Sequence, residues 1–493
     1  MPPHNYPVTS APVLSPHRKT AILVTCCLSL LIVSMDSTIV NVAIPSIRVD
    51  LDATPAQLQW VIDIYTLVLA SLLLLSGTMA DKFGRRRVFQ IGLTTFAFGS
   101  LLCSLAPTVE VLIAARFVQA VGGSMLNPVA MSIITNTFPG RVERARAVGV
   151  WGAVVGISMA LGPIVGGLAI NMFSWEAVFW INLPICVVAV VATALVVPES
   201  KSQHVRSLDP IGQALAVVFM AGLIYGLIEG PELGWTDPWT IGIFAVTAMA
   251  FASFCRYELR RHDPFIDLRF FRSVPFSTAT LTGICAFAAF GAFLFVVSIY
   301  LQSIRGYSPV ETGLMFLPLA LGTLLFSPLS GRMVGRFGTR PSLVSGGILL
   351  AVASTLMTAV DEVTPIWQLL ITFGVFGIGF GMVNAPITTG AVSGMPRDRA
   401  GAASAIASTS RQIGVAIGVA LSGVIAGSVI AAHPDASSAS DMAPLWWVAA
   451  GLGVTIAAGG IYSTTRKSLD TASRVADLFA EAGEGPLASS TVR

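Results

Sequence analysis

Three charged side chains sit where charge is expensive, and their types point to proton chemistry. Asp36 lies about two thirds of the way along an apolar run at 21–44, Asp63 about five residues into a run at 58–80, and Arg116 inside a run at 109–134. An ionised carboxylate in hydrocarbon costs several kcal/mol and is retained where it faces a cavity or a partner. Because burial disfavours the charged form of a carboxyl, such an aspartate can load a proton from one side and release it when a cation arrives or the opening changes sides. Exchange of protons for another solute requires this behaviour. Two structural readings stand beside it: Asp36 capping or salt-bridging a helix, and Asp63 lying at the interface. Arg116 heads a helical face with Gln119, Ala120, Gly123 and Asn127 at i, i+3, i+4, i+7 and i+11. We expect that face to border something polar, and Arg116 to lie near Asp36 and govern its protonation.

The elements that hold these groups must be apolar helices. Of 493 residues, 54% are hydrophobic and 11% charged, with a mean hydropathy of +0.78, whereas a water-soluble domain carries about a quarter charged residues. A soluble enzyme is excluded. Fourteen apolar runs between 21 and 463 each approach the roughly 20 residues that cross a hydrocarbon core. The expected fold class is an all-α polytopic membrane protein with 14 transmembrane helices arranged 6 + 2 + 6. We divide the chain into an N-terminal tail (1–20), a six-helix bundle (21–200), two inserted helices with a basic linker (201–275), a second six-helix bundle (276–463) and a C-terminal tail (464–493). The stretch 21–44 reads as a retained helix and not as a cleaved leader.

With the N-terminus inside, all but four of the 29 lysines and arginines lie in cytoplasmic tails and loops; the exceptions are Arg48 and Arg305 outside and Arg116 and Arg411 within spans. This bias fixes the expected orientation in the cytoplasmic membrane, with both termini cytoplasmic. A net charge of +3 from scattered basic residues argues against nucleic-acid binding. The six cysteines lie in or beside apolar runs without paired spacing or flanking histidines, so no metal site is expected. None of the four lysines completes a G-x-x-x-x-G-K-[ST] phosphate loop, so energy must come from a gradient and no cofactor is expected.

An internal echo organises the chain. Gly77 to Arg86 reads GTMADKFGRR and Gly331 to Arg340 reads GRMVGRFGTR, sharing Gly, Phe, Gly and Arg in register at an offset of 254. The segment GTMADKFGRRR at Gly77 to Arg87 resembles the loop 2-3 signature of the major facilitator superfamily, and GPIVGG at Gly162 to Gly167 resembles the span 5 motif of its antiporters. MDSTIVNVAIP at Met35 to Pro45 and WVIDIYTL at Trp60 to Leu67 are similar to the 14-span drug:proton antiporters, exporters of quaternary ammonium compounds and dyes. FWINLP at Phe179, LQSIRGYSP at Leu301 and RAGAASAIASTSRQIGVAIG at Arg399 continue the likeness through all spans. The resemblance implies the major facilitator fold and proton-driven export of lipophilic or cationic drugs and antibiotics. It also implies a role for Arg116 in proton movement, although the glycine usual after the glutamine is Ala120 here.

The loop motif has mechanics of its own. Asp63 and Asp81 are 18 residues apart, five helical turns, so they share a face of one helix about 27 Å from each other. Asp81, with Arg85 and Arg86, is expected to bond across to the other half as a cytoplasmic gate, while Gly77 and Gly84 permit close packing and a tight turn. The second copy has Gly335 where Asp81 stands. Gly156, Gly162, Pro163, Gly166 and Gly167 allow close helix contact and a bend, suited to a hinge or a proton-tight seam. Trp60, Tyr65, Gln119, Asn127, Arg411 and Gln412 are candidates for the substrate cavity. The expected partners are a small lipophilic or cationic molecule, protons and the lipid bilayer, served by a functional monomer. Export of a native metabolite, siderophore or lipid is the nearest alternative. A non-transporting receptor is remote, since it has no use for Asp36 and Arg116 in the membrane.

Overall fold

The structure, a computed structural model, describes residues 15–138, 140–201, 209–261, 264, 266–393, 400–431 and 442–483. Among the described residues there are helices and no strand. The chain opens with α1 (Pro16–Asp50), α2 (Pro55–Phe83), α3 (Arg85–Ser104), α4 (Val109–Thr137) and α5 (Arg141–Met172), then a broken span of α6 (Ala177–Trp180) and α7 (Asn182–Val196). A pair, α8 (Pro210–Leu233) and α9 (Pro238–Glu258), is followed by a 3-10 turn at Leu268–Arg272. The remainder is α10 (Val274–Ile299) with a π turn at Tyr300–Ile304, α11 (Pro309–Met315), α12 (Leu317–Phe337), α13 (Thr339–Met357), α14 (Ile366–Val392), α15 (Ala400–Ala431), α16 (Ala443–Tyr462) and α17 (Arg466–Gly483).

Local chemistry sets the helix starts. Thr54 and Gln57 form a reciprocal capping box ahead of α2 with Pro55 at the first position, and Ser308 and Glu311 do the same for α11 with Pro309. Eleven helical stretches among the described residues are long and apolar enough to cross a membrane. Their outward faces carry residues such as Val187, Val191 and Leu195 on α7 and Ile241, Met249 and Phe251 on α9, all exposed, as hydrocarbon contact demands. α3, which begins on three arginines, and the 32-residue α5 and α15 are not among the eleven.

Packing repeats between the two ends of the chain. α3 lies on α4, α1 on α5, α2 on α4 and α3 on α7; correspondingly α13 lies on α14, α10 on α15, α12 on α14 and α13 on α16. The same pairings, advanced by the offset of the sequence echo, describe two like bundles. They meet through α2 against α15 and α5 against α11 and α12, which exchange under the same correspondence. The inserted pair α8–α9 packs by α8 against both α2 and α15. Within the C-terminal tail lies a helix that no apolar run announces: α17 buries Ala472 and Val475, and its Thr471 hydroxyl accepts the Val274 N–H at 2.9 Å.

Candidate proton-coupling site, gate and cavity

Asp36 of α1 and Arg116 of α4 form an ion pair with 0% and 1% exposure. Arg116 Nη1 donates to Asp36 Oδ2, and its Nε donates to the Val61 carbonyl of α2 at 3.1 Å. The other carboxylate oxygen, Oδ1, accepts from Gln119 Nε2 at 2.9 Å and Asn182 Nδ2 at 3.1 Å. Gln119 Oε1 accepts from Arg116 at 2.7 Å, and both amides also donate to Ser100 Oγ. Five helices therefore converge on one buried charge pair. Tyr65 lies beneath the guanidinium with its ring centroid 4.1 Å from Cζ, and Phe179 follows at 5.8 Å. The spacing of Arg116 and Gln119 by three residues is what brings both to Asp36. Asn182 and Ser100 complete the cluster without having been singled out; an amide in the apolar FWINLP segment was the available signal.

Asp63 is a different case. It is 0% exposed, and neither carboxylate oxygen has a hydrogen-bond partner. Asp81, at the far end of α2, keeps 37% side-chain exposure and pairs with Arg85 at 2.8 Å, one turn away. Its ion pair thus stays inside its own motif, where a bond across to the other half was expected. The motif is instead tied within its half to the end of α7 and the segment after it. Glu199 accepts the N–H groups of Arg86 and Arg87, each at 3.2 Å, while Arg85 N–H donates to the Ser200 carbonyl at 3.0 Å and Arg86 Nη2 to the Ala194 carbonyl at 2.7 Å. Gly84 makes this turn at φ +111, and a Cβ there would stand 2.6 Å from Glu199 Oε1. Gly77 faces Pro128 at ordinary contact distance, 3.8 Å for a Cβ.

The α5 glycines serve two surfaces. A Cβ on Gly162 or Gly166 would strike Thr38 or Ile39 of α1, and one on Gly167 would lie 2.3 Å from the Pro309 carbonyl of α11. Gly313 in turn abuts the Pro163 carbonyl, so this seam joins the halves. Gly156 lies on the same helix, one turn and more before Gly162. At the same end Gly423 packs on Gln59 and Gln302 Nε2 donates to the Val42 carbonyl at 2.9 Å. Around Gly331, Gly335 and Gly338, at the opposite end, a Cβ would meet nothing within 4 Å.

Of the cavity candidates, Tyr65 and Gln119 are fully buried in the Asp36 cluster. Trp60 donates its indole N–H to Glu229 of α8 at 2.8 Å. Asn127 and Gln412 are half-buried, and the Asn127 Oδ1 has no hydrogen-bond partner. Arg411 donates to Thr388 Oγ1 at 2.6 Å.

The chain matches the family described as Major Facilitator Superfamily over residues 26–419. It is 36% identical over 410 residues to the multidrug resistance protein Stp of Mycobacterium tuberculosis, covering 83% of this chain and 75% of that one. It is 35% identical over 429 residues to the tetracenomycin C resistance and export protein of Streptomyces glaucescens, covering 86% and 77%. The fold is similar to that of a D-xylose-proton symporter at a TM-score of 0.64 and 14% identity, covering 90% and 97% of the two chains. The match across most of its length, with relatives of this identity, places the chain in the Major Facilitator Superfamily, whose members are multi-pass membrane transporters and not enzymes.

Proposed function

We propose that the protein exports lipophilic or cationic drugs across the cytoplasmic membrane in exchange for protons, working as a monomer with fourteen spans and both termini in the cytoplasm. The observation that carries the reading is the pair Asp36–Arg116, sealed from solvent and held by groups from five helices. Two charges so deep are costly to keep for stability alone, since well-packed apolar residues often replace a buried pair without loss. Protonation of Asp36 removes one charge, frees Arg116 and alters the contacts of α1, α4 and α7 together. Asp63, unpartnered on the next helix, offers a second proton position. The resistance and export named for the relatives support drugs as cargo.

In this orientation the halves touch at the external end and the substrate path opens toward the cytoplasm. Glu199 and the Asp81–Arg85 pair stiffen the cytoplasmic turn of α2 and α3 so that the N-terminal bundle moves as a unit. The test is reconstitution into vesicles holding a pH-sensitive dye, with ethidium as cargo. Proton release from the lumen should accompany ethidium entry and vanish in Asp36→Asn, with the variant still folded and inserted. Ethidium movement indifferent to a proton gradient would make the protein a facilitator.

A further inference from the structure

The C-terminal bundle carries a charge that the proton chemistry does not use. No aspartate or glutamate occurs in α10 or in α12 to α16, and none of the ion pairs among the described residues includes Arg411 of α15. Its Nη2 donates to the exposed Thr388 of α14, and its Nε has no partner. The guanidinium lies 5.7 Å from the centroid of the Phe287 ring. One turn along α14 from Thr388, on the same face, stands the half-buried Asn384, and one turn further Phe380. Phe380 stacks on Phe290 at 4.3 Å and 10°, and Phe287 meets Phe380 edge-on at 5.0 Å.

An arginine stays protonated, and its planar fork suits a carboxylate or similar oxyanion taken through two N–H groups. Here the Nε of that fork is unspent, no carboxylate among the described residues pairs with it, and the Phe287 ring lies beside it. The missing counter-charge is then one that arrives with cargo. We propose that Arg411, with Thr388 and Asn384 on one side and the half-buried Phe287, backed by the buried Phe380, on the other, forms a subsite for planar aromatic or conjugated molecules bearing an acidic oxygen. This adds organic acids to the cargo and rests on the export reading above. The Phe287 ring holds the flat body, the guanidinium holds the oxyanion, and Asn384, whose Nδ2 already donates to the Phe380 carbonyl at 3.0 Å, offers its second amide N–H or its Oδ1 to a neighbouring carbonyl or hydroxyl.

The test compares anthracene-9-carboxylate, ionised at neutral pH, with its uncharged methyl ester, using the full chain in neutral phosphatidylcholine vesicles so that no anionic headgroup competes. Fluorescence titration of wild type should give tighter binding of the acid by about tenfold or more, the worth of one charge-assisted hydrogen bond. Arg411→Gln should bring the acid-to-ester ratio close to one, and Arg411→Lys should keep part of it, which a merely structural role would not produce. An equal affinity of wild type for acid and ester, or an equal loss of both ligands in the two variants, overturns the subsite. Ethidium efflux by the same vesicles separates the readings. If ethidium is moved but the acid is not preferred, only the subsite falls; if nothing is moved, the export reading falls and takes the subsite with it.

Discussion

Asp36 and Arg116 were taken out of water together, and removing either alone strands the other. Asp36→Asn should therefore lower unfolding stability by about 3–5 kcal/mol, the cost of leaving one buried charge unpaired. The double variant Asp36→Asn with Arg116→Gln should recover most of that stability without recovering proton coupling. Denaturant unfolding and the vesicle dye assay read the two separately, and a double variant that still exchanges protons would reduce the pair to a structural device. Asp63 predicts the opposite sign. Both of its oxygens lack partners, so Asp63→Asn should gain roughly 1 kcal/mol or more while losing coupling; a loss of stability would mean the carboxylate is held by something. The nearness of Asp36 and Arg116 was legible in the sequence because opposite charges in hydrocarbon have few alternatives to each other. Ser100 and Asn182 were not, since hydroxyls and amides are common in helices and only the folded cluster shows which ones complete the shell of Asp36.

At the scale of elements, the turn between α2 and α3 owes its shape to a carboxylate more than a hundred residues away. The motif's own residues were visible in the sequence; Glu199 was not, because a lone acid after an apolar run normally reads as a solvated end. Glu199→Gln replaces charge-assisted bonds to two backbone N–H groups by neutral ones, so amide exchange at Arg86 and Arg87 should speed up by roughly tenfold, with a stability loss of about 1 kcal/mol at this exposed site. Unchanged exchange would leave the turn to Gly84 alone. The loop between α13 and α14 makes a related case. The Thr364 hydroxyl donates to Asp361 at 2.6 Å, and this bond, more than the Val363 N–H at 3.0 Å, holds the Asp361 carboxyl below its ordinary range. A lowered carboxyl adds stability that is present above the unfolded value and is lost as pH falls through the folded one. Thr364→Val should thus lower the melting temperature at neutral pH, and the difference from wild type should shrink as the pH falls below about 4, which flattens the acid limb of the profile. Helix positions themselves followed from apolarity, except α17, whose sparse buried residues make no continuous run.

The whole molecule is two bundles whose pairwise packing repeats, although little of that repeat survives in the sequence beyond a ten-residue echo and the matching caps at Thr54 and Ser308. Helix packing needs small residues and apolar volume in the right order, and many sequences meet that need, so the repeat persists in contacts after it has faded in letters. What the letters do not give is which end of the bundles is closed, because glycines at a seam and glycines at an open mouth look alike. The structure separates them: Gly167 sits against the Pro309 backbone, whereas Gly331 has nothing within reach of a Cβ. A side chain at 167 must push on a carbonyl that cannot swing aside, so Gly167→Val should wedge α5 from α11 and shift the population toward the form open at that end. Spin labels at Phe173 and Val363, both exposed there, should report a longer distance in the variant, and ethidium efflux should slow. Gly331→Val should leave that distance unchanged, since its new methyls enter open space. If both variants lengthen it alike, the effect is general loosening of the bundles, and the α5–α11 seam loses its standing as the surface on which the halves part.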